Sequence, residues 1–323
     1  MPGLSYYRRI FSAYVLGGKS QLTFWHETPE LNQGAPLDKL GEYYMVFAEK
    51  ARYAGHFDEA GIPMLDYRGS IGRQYNPIAI AQYGLAHYNG FCRTRNPASW
   101  QKVLGTANWL ADHLENNAHG VAVWNHQFDW EYRETLRAPW YSALAQGQGI
   151  SLLVRAHQMA SDGRFADIAE RALQAFFWPV DDGGVTFTDA AGDLWLEEYL
   201  VNPPTHILNG MIWAAWGLRD FFLATGDPRA KNLFDRLTQT LLRNLQRYDV
   251  GFWSLYELSG TRMPMMASSF YHRLHIVQLR VMAKLTGEAE FDRTAERWEG
   301  YTRSRVKRGK AWTRKAAFKL LHY

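Results

Sequence analysis

Three stretches of this chain follow one plan: SDGRFADIAERAL from Ser161, TGDPRAKNLFDRL from Thr225 and TGEAEFDRTAERW from Thr286. Each is a glycine turn followed by an amphipathic helix, and Gly163, Gly226 and Gly287 recur 63 and 61 residues apart. A turn repeating at that interval divides a chain into helical hairpins. A single hairpin cannot bury its own apolar face, so consecutive hairpins must stack.

Periodicity predicts the members. Pro77 to His87 pairs with a helix that opens at Asn96-Pro97 and runs to about Asn116. Trp140–Met159 pairs with Phe165–Phe177, Thr205–Ala224 with Pro228–Gln246, and Phe270–Leu285 with Ala289–Tyr301. The Asn-Pro start supplies an N-cap and a first helical residue that needs no N–H partner. Strand-like pieces separate the pairs at Val121–Trp130, Val185–Tyr199 and Gly251–Leu258. Four consecutive pairs fit a bundle, a solenoid or an α/α toroid. A toroid, complete or incomplete, is the expected fold. Its connections between pairs would carry short β-hairpins at one end and are long enough to line a cavity. We expect residues 1–67 to form an N-terminal extension packing on the toroid, 68–302 the toroid, and 303–323 a basic amphipathic tail.

Such an assembly has two unlike ends. The glycine turns gather at one and the connections at the other. Glu198 and Tyr199, Tyr256, and Tyr271 lie in or just after successive connections, so they are expected to be neighbours in space. Glu198 and Tyr199 stand in WLEEYLVNPPTHILNG, an apolar run ending in two glutamates and a tyrosine before a Pro-Pro break.

Other chemistries lack support. The single cysteine, Cys92, allows no intrachain disulfide, and no HExxH, paired cysteine or P-loop occurs, so no metal and no cofactor is expected. His272 and His275 share a helical face, an arrangement more often structural or substrate-binding than ligating. Carboxylate and phenol chemistry is left, which serves proton transfer, glycoside hydrolysis or sugar binding.

Charge is uneven. Arg303 to Tyr323 hold eight of the 36 basic residues and none of the 32 acids, so the remainder is net negative. Trp312, Ala316, Ala317, Leu320 and Leu321 fall on one helical face there. The tail suits an anionic membrane surface or an acidic polymer; the other reading is a solvated terminus. The apolar patch in MPGLSYYRRIFSAYVLGG is too short for a signal peptide or a span, so a cytoplasmic location is expected, peripheral at the membrane surface through the tail, with no nucleic-acid partner.

YSALAQGQGISLLVRA, from Tyr141 to Ala156, resembles the signature of the heparosan D-glucuronyl C5-epimerase family. The Glu-Tyr segment with its following LNG (Leu208, Asn209, Gly210), YNPIAIAQYGLAHY from Tyr75, YDVGFWSLYEL and FYHRLHIVQL are similar to further family segments, in order. The likeness runs from about Arg68 to Tyr301. It implies an α/α-toroid catalytic domain without the β-sandwich of animal members, a glucuronate-containing glycan or glycolipid-linked substrate, and a homodimer. By resemblance, Glu198 and Tyr271 form the opposite-face proton-transfer pair, Tyr256 is an alternative acid or base, and Tyr199 orients the substrate. Tyr75, Gln82, Tyr141, Gln146, Gln148 and Asn209 are expected to bind substrate. The arginine that the family often carries after Tyr-acid-Leu is Ser259 here, so Arg262, Arg273 or His275 is expected to meet the carboxylate. Three rival readings are a polysaccharide lyase, a hydrolase using Asp129 or Glu257 as second carboxylate, and a glycan-binding protein without catalysis.

Overall fold

The computed structural model describes residues 24–25, 27–67, 69–261 and 263–322, the last four by backbone alone. The start of the expected extension, Arg262, and the side chains of Lys319, Leu320 and Leu321 thus lie outside the described residues.

Four helical hairpins follow one another. Their first helices are α2 (Pro77–Thr94), α4 (Ala143–Ala160), α6 (Leu208–Thr225) and α8 (Ser269–Thr286). Their second helices are α3 (Pro97–Asp112), α5 (Gly163–Leu173), α7 (Pro228–Asn244) and α9 (Ala289–Arg303). A short α1 (Ala48–Ala51) precedes them and α10 (Arg305–His322) follows. The first helices pack on one another in order, α2 on α4, α4 on α6, α6 on α8, and form the inner layer of an α/α toroid. The second helices pack outside them.

Sequence accounts for the two layers. From Ala143 to Ala156 every residue of α4 is buried, and α6 is buried nearly throughout. A helix apolar all round belongs inside. By contrast, α7 buries one stripe through Ala230, Leu233, Phe234, Leu237 and Leu241. Glycine sets the inner spacing. A Cβ on Gly147 would stand 2.4 Å from the Cα of Ala214, so α4 and α6 touch backbone to backbone. The helical cost of glycine, about 1 kcal/mol, is offset by that contact.

One turn joins the helices of every hairpin: a left-handed residue, an N-cap and a first helical residue. The triplets are Arg95-Asn96-Pro97, Ser161-Asp162-Gly163, Gly226-Asp227-Pro228 and Gly287-Glu288-Ala289. The repeat expected at Gly163 is therefore displaced. The left-handed position is Ser161 (φ 54°), and Gly163 opens α5. The register was hidden because Ser and Arg occupy a position that glycine takes elsewhere.

Short antiparallel hairpins fill the connections: β4 (Leu114–Asn116) with β5 (Ala122–Trp124), β6 (Trp130–Glu131) with β7 (Thr135–Leu136), and β8 (Thr186–Thr188) with β9 (Leu194–Leu196). Ahead of α2 lies a sheet of β1 (His56–Phe57), β2 (Pro63–Asp66) and β3 (Arg73–Gln74). The strand expected over Gly251–Leu258 forms only isolated bridges, Asp249 to Ser254 and Leu255 to Met266, and Tyr256 sits in that irregular stretch.

The segment before α1 enters the main core. Asn89 Oδ1 accepts the Tyr43 N–H (2.6 Å), and the Tyr44 hydroxyl donates to Asp220 (2.7 Å). Asp220 also pairs with the fully buried Arg155 (2.6 Å), which ties α4 to α6. At the other terminus α10 docks through Ala311, Lys315 and Phe318. That face differs from the expected one: Trp312 is 45% exposed and Ala316 is exposed, because the one-turn spacing of 311, 315 and 318 meets the body. Among the described residues no helix is long and apolar enough to cross a membrane.

Candidate active site

The first helices of all four hairpins begin at one place. Asn76 and Ile78 at the start of α2, Ser142 and Leu144 at α4, Asn209 at α6, and Phe270 and Tyr271 at α8 line a single cavity of about 150 Å³. Four helix N-termini turned toward one space make it hospitable to an anion. The connections supply the rest of the wall: His126, Phe128, Trp130 and Trp140 from one, Glu198 and Tyr199 from the next.

Adjacent glutamates divide the work. Glu197 accepts the backbone N–H groups of Thr205 (3.3 Å) and His206 (3.1 Å), and its other oxygen is 2.5 Å from His206 Nδ1. It clamps the loop that passes the cis Asn202-Pro203 bond into α6. Glu198 points the other way. It is hydrogen-bonded by Asn209 Nδ2, at 3.4 Å, and by the side chain of Tyr199. Gly210 makes this possible, since a Cβ there would fall 2.2 Å from the Glu198 Oε2. Burial, reinforced by the neighbouring Glu197, pushes the Glu198 carboxyl up to about 8. It is the only carboxylate among the described residues lining the cavity.

The phenols cluster beside it. The rings of Tyr256 and Tyr271 are 4.8 Å apart, and Tyr199 packs 4.4 Å from Tyr132. Burial first, and then the nearby Glu198, hold the Tyr199 and Tyr256 hydroxyls well above the usual phenol value. The Ser268 hydroxyl accepts the Tyr271 N–H (3.2 Å) and caps α8, which fixes where Tyr271 enters.

Of the expected residues, Glu198, Tyr199, Asn209 and Tyr271 line the cavity and Tyr256 adjoins it through the Tyr271 ring. Several others are placed elsewhere. The Tyr75 hydroxyl donates to Asp58 (2.7 Å), and Tyr141 falls between two lining residues without lining it. Gln146 accepts from the Trp124 N–H (2.9 Å) and donates to the carbonyls of Ala122 (3.2 Å) and Ala172 (3.0 Å), so its amide fastens a β-hairpin to α4. Gln148 bonds the Tyr43 hydroxyl, and Gln82 is fully buried on α2. His275 sits against Ser254 Oγ (3.1 Å), held neutral by burial. Arg273 is exposed and does not line the cavity, and Arg262 lies outside the described residues. Glu257 is bonded by Tyr132 and Arg133, and Asp129 is taken by the Ala138 N–H (2.9 Å) and Arg137.

Sequence reasoning missed much of the wall. His126, Phe128 and Trp130 alternate along the chain, a period that puts them on one face. Trp213 follows Asn209 by one helical turn. Both patterns were available. His126 stacks on Trp140 (3.8 Å), is kept neutral by burial at about 3, and leaves Nε2 without a partner. A larger groove of about 470 Å³, lined by Arg219, Phe222 and Lys231, lies at the turn end near Thr286 and contains none of the expected site residues.

A family model described as the D-glucuronyl C5-epimerase C-terminus matches residues 116–300, more than half of the chain. The chain belongs to this family. It is 30% identical over 210 residues to a D-glucuronyl C5-epimerase of Caenorhabditis elegans, a match covering 60% of this chain and 34% of that protein. The chain thus matches about a third of the nematode enzyme's length. An uncharacterised protein of Methanocaldococcus jannaschii is 26% identical over 253 residues, 72% of this chain and 80% of that protein. Among solved structures, a family 76 glycoside hydrolase from Bacteroides thetaiotaomicron has a TM-score of 0.47 at 10% identity, covering 67% of this chain and 44% of that one. An unsaturated glucuronyl hydrolase from Bacillus sp. GL1 has 0.45 at 13%, covering 68% and 62%. The span matched to the epimerase family contains Glu198, Tyr199, Tyr256 and Tyr271. It leaves out Asn76, Tyr67 and Lys50, which line the same cavity.

Proposed function

We propose that this protein is a uronate C5-epimerase that converts D-glucuronic acid units of a polysaccharide or glycolipid-linked glycan to L-iduronic acid. The observation that carries this reading is a buried carboxylate, the only one among the described lining residues, meeting a phenol cluster in one cavity, supplied by different connections of an epimerase-family toroid.

Inversion at C5 breaks the C5–H bond, and the electron pair moves into the C6 carboxylate as an enediolate. A proton then returns to the opposite face. The reaction needs a base on one face and an acid on the other. Glu198, at about 8, ionises more readily than a tyrosine held above its usual value of 10, so it serves as base in one direction. Tyr271 then supplies the proton, and the two exchange roles in reverse. Tyr256, in ring contact with Tyr271, is the alternative donor; Tyr199 orients the sugar. A second free carboxylate, which glycoside hydrolysis ordinarily needs, is not among the described lining residues.

The exposed basic residues of α10, Arg305, Arg308 and Arg314, suit a peripheral contact with an anionic membrane that carries a lipid-linked substrate.

The test is incubation with glucuronate-containing glycans in D2O. Deuterium at C5, with iduronate appearing and polymer length unchanged, is expected. A shortened polymer with the ultraviolet absorbance of an unsaturated uronate would instead mean a lyase. Binding without exchange would mean a glycan-binding protein.

A further inference from the structure

An enediolate places a second negative charge on the uronate carboxyl, so the cavity needs donors for it. Among the described lining residues, Lys50 is the only lysine or arginine. It is 3% exposed and comes from the segment before the toroid, outside the span matched to the family. Its ammonium sits 4.4 Å above the Phe24 ring and 5.3 Å above that of Phe47. Two partners hold it: the Phe24 carbonyl at 2.6 Å and the Glu27 carboxylate at 3.7 Å. Glu27 turns Oε1 toward the ammonium and uses Oε2 for the backbone N–H groups of Glu49 (3.0 Å) and Lys50 (3.1 Å). An ammonium carries three donors, so this arrangement leaves one for the cavity.

A second buried donor borders the same space. The Trp213 indole Nε1 is buried without a partner, in a residue that lines the cavity. Its ring centroid is 6.3 Å from that of Phe47, the ring beneath Lys50. A buried N–H left unpaired costs stability unless a ligand takes it.

We infer that Lys50 and Trp213 form the carboxylate cradle, the Lys50 ammonium and the Trp213 Nε1–H holding the C6 carboxylate of the bound uronate. This rests on the uronate reading above. In this chain the charge that stabilises the enediolate comes from the N-terminal segment and not from the stretch around Ser259. The aromatic rings around Lys50 keep water from screening it.

The experiment compares methyl β-D-glucuronide with its C6 primary amide by NMR titration, which isolates the carboxylate charge. Wild type is expected to favour the glucuronide by roughly 10- to 100-fold, the worth of charge-assisted hydrogen bonds. Lys50→Met should abolish that preference and Trp213→Phe reduce it; Glu27→Gln should widen it by releasing the ammonium. A Lys50→Met protein that keeps the preference, or a wild type without one, overturns the cradle. If Lys50→Met does not fold, Glu27→Gln decides: a widened preference supports the cradle and an unchanged one overturns it. C5 exchange separates the two claims. A preference that depends on Lys50 without exchange would leave the cradle standing and the epimerase reading overturned. Exchange with a preference indifferent to Lys50 would do the reverse.

Discussion

The two ends of the toroid solve opposite problems. At the turn end the helix caps are satisfied within a few residues: Asp227 accepts the Arg229 N–H (2.8 Å), Asp162 that of Arg164 (2.9 Å), and Asn96 that of Ala98 (3.0 Å). At the connection end several polar groups around the cavity are buried and partnered across long stretches of chain, or have buried atoms with no partner. His126 Nε2, Trp213 Nε1 and Asn209 Oδ1 are all buried without hydrogen bonds. The first end is built for stability. The second spends stability on an arrangement whose partners are expected to arrive with the substrate.

Glu197 and Glu198 reproduce this contrast in two adjacent residues. One closes a loop, and the other is held protonated in a cavity. Substitutions at both ends of the molecule break or sharpen the comparison. The largest effect is expected from Glu198→Gln, which should lower epimerisation by roughly 1,000-fold while leaving the fold intact. Its stability change should depend on pH. The folded carboxyl is raised from 4.5 to about 8, so the folded state binds the extra proton in that window and wild-type stability falls as pH rises through it. Thermal unfolding at pH 9 should therefore show Glu198→Gln as the more stable protein, and at pH 4 the two should match.

Gly210→Ala comes next. Its Cβ must displace the Glu198 carboxylate, and a misplacement of that kind is expected to lower the rate by about 100-fold, read as C5 exchange on folded protein. Glu197→Ala should do something different. It strands the N–H groups of Thr205 and His206, and denaturant unfolding should reveal a loss on the order of 3 kcal/mol. Equal loss of stability in Glu197→Ala and Glu198→Ala would erase the distinction drawn between them. Wild-type exchange should climb by about tenfold per pH unit below 8 and level off above it, as Glu198 ionises to act as base. A flat profile would remove Glu198 from that role. The smallest effect is expected at the turn end: Asp227→Ala removes a helix cap, costs about 1 kcal/mol, and leaves C5 exchange unchanged.

Much of the fold was legible because it is local. Helical period, Asn-Pro starts and turn residues are written within a few positions of one another, and the eight paired helices lie close to where the pattern puts them. Asp162 and Asp227 act as caps in equivalent turns, although the first turn's left-handed residue is Ser161 and not Gly163. The convergence of Glu198, Tyr199 and Tyr271 was legible too, since a toroid must bring its connections to one end. Partner choice inside the core was not. Nothing near Gln146 indicates that its amide meets Trp124, Ala122 and Ala172, and small neighbours on α4 read equally well as a cavity wall. Lys50 was invisible for a related reason. Its place depends on a segment that threads into the core from outside the repeats, and an isolated lysine in a short helix carries no pattern.

The central claim is that Glu198 and Tyr271 move the C5 proton between opposite faces of a uronate. The most direct test is Tyr271→Phe in D2O, with C5 hydrogen and uronate configuration read by NMR on a glycan that the wild type epimerises. The account expects a folded protein that still binds the glycan and neither exchanges nor inverts C5. Full exchange and inversion by that variant would contradict it.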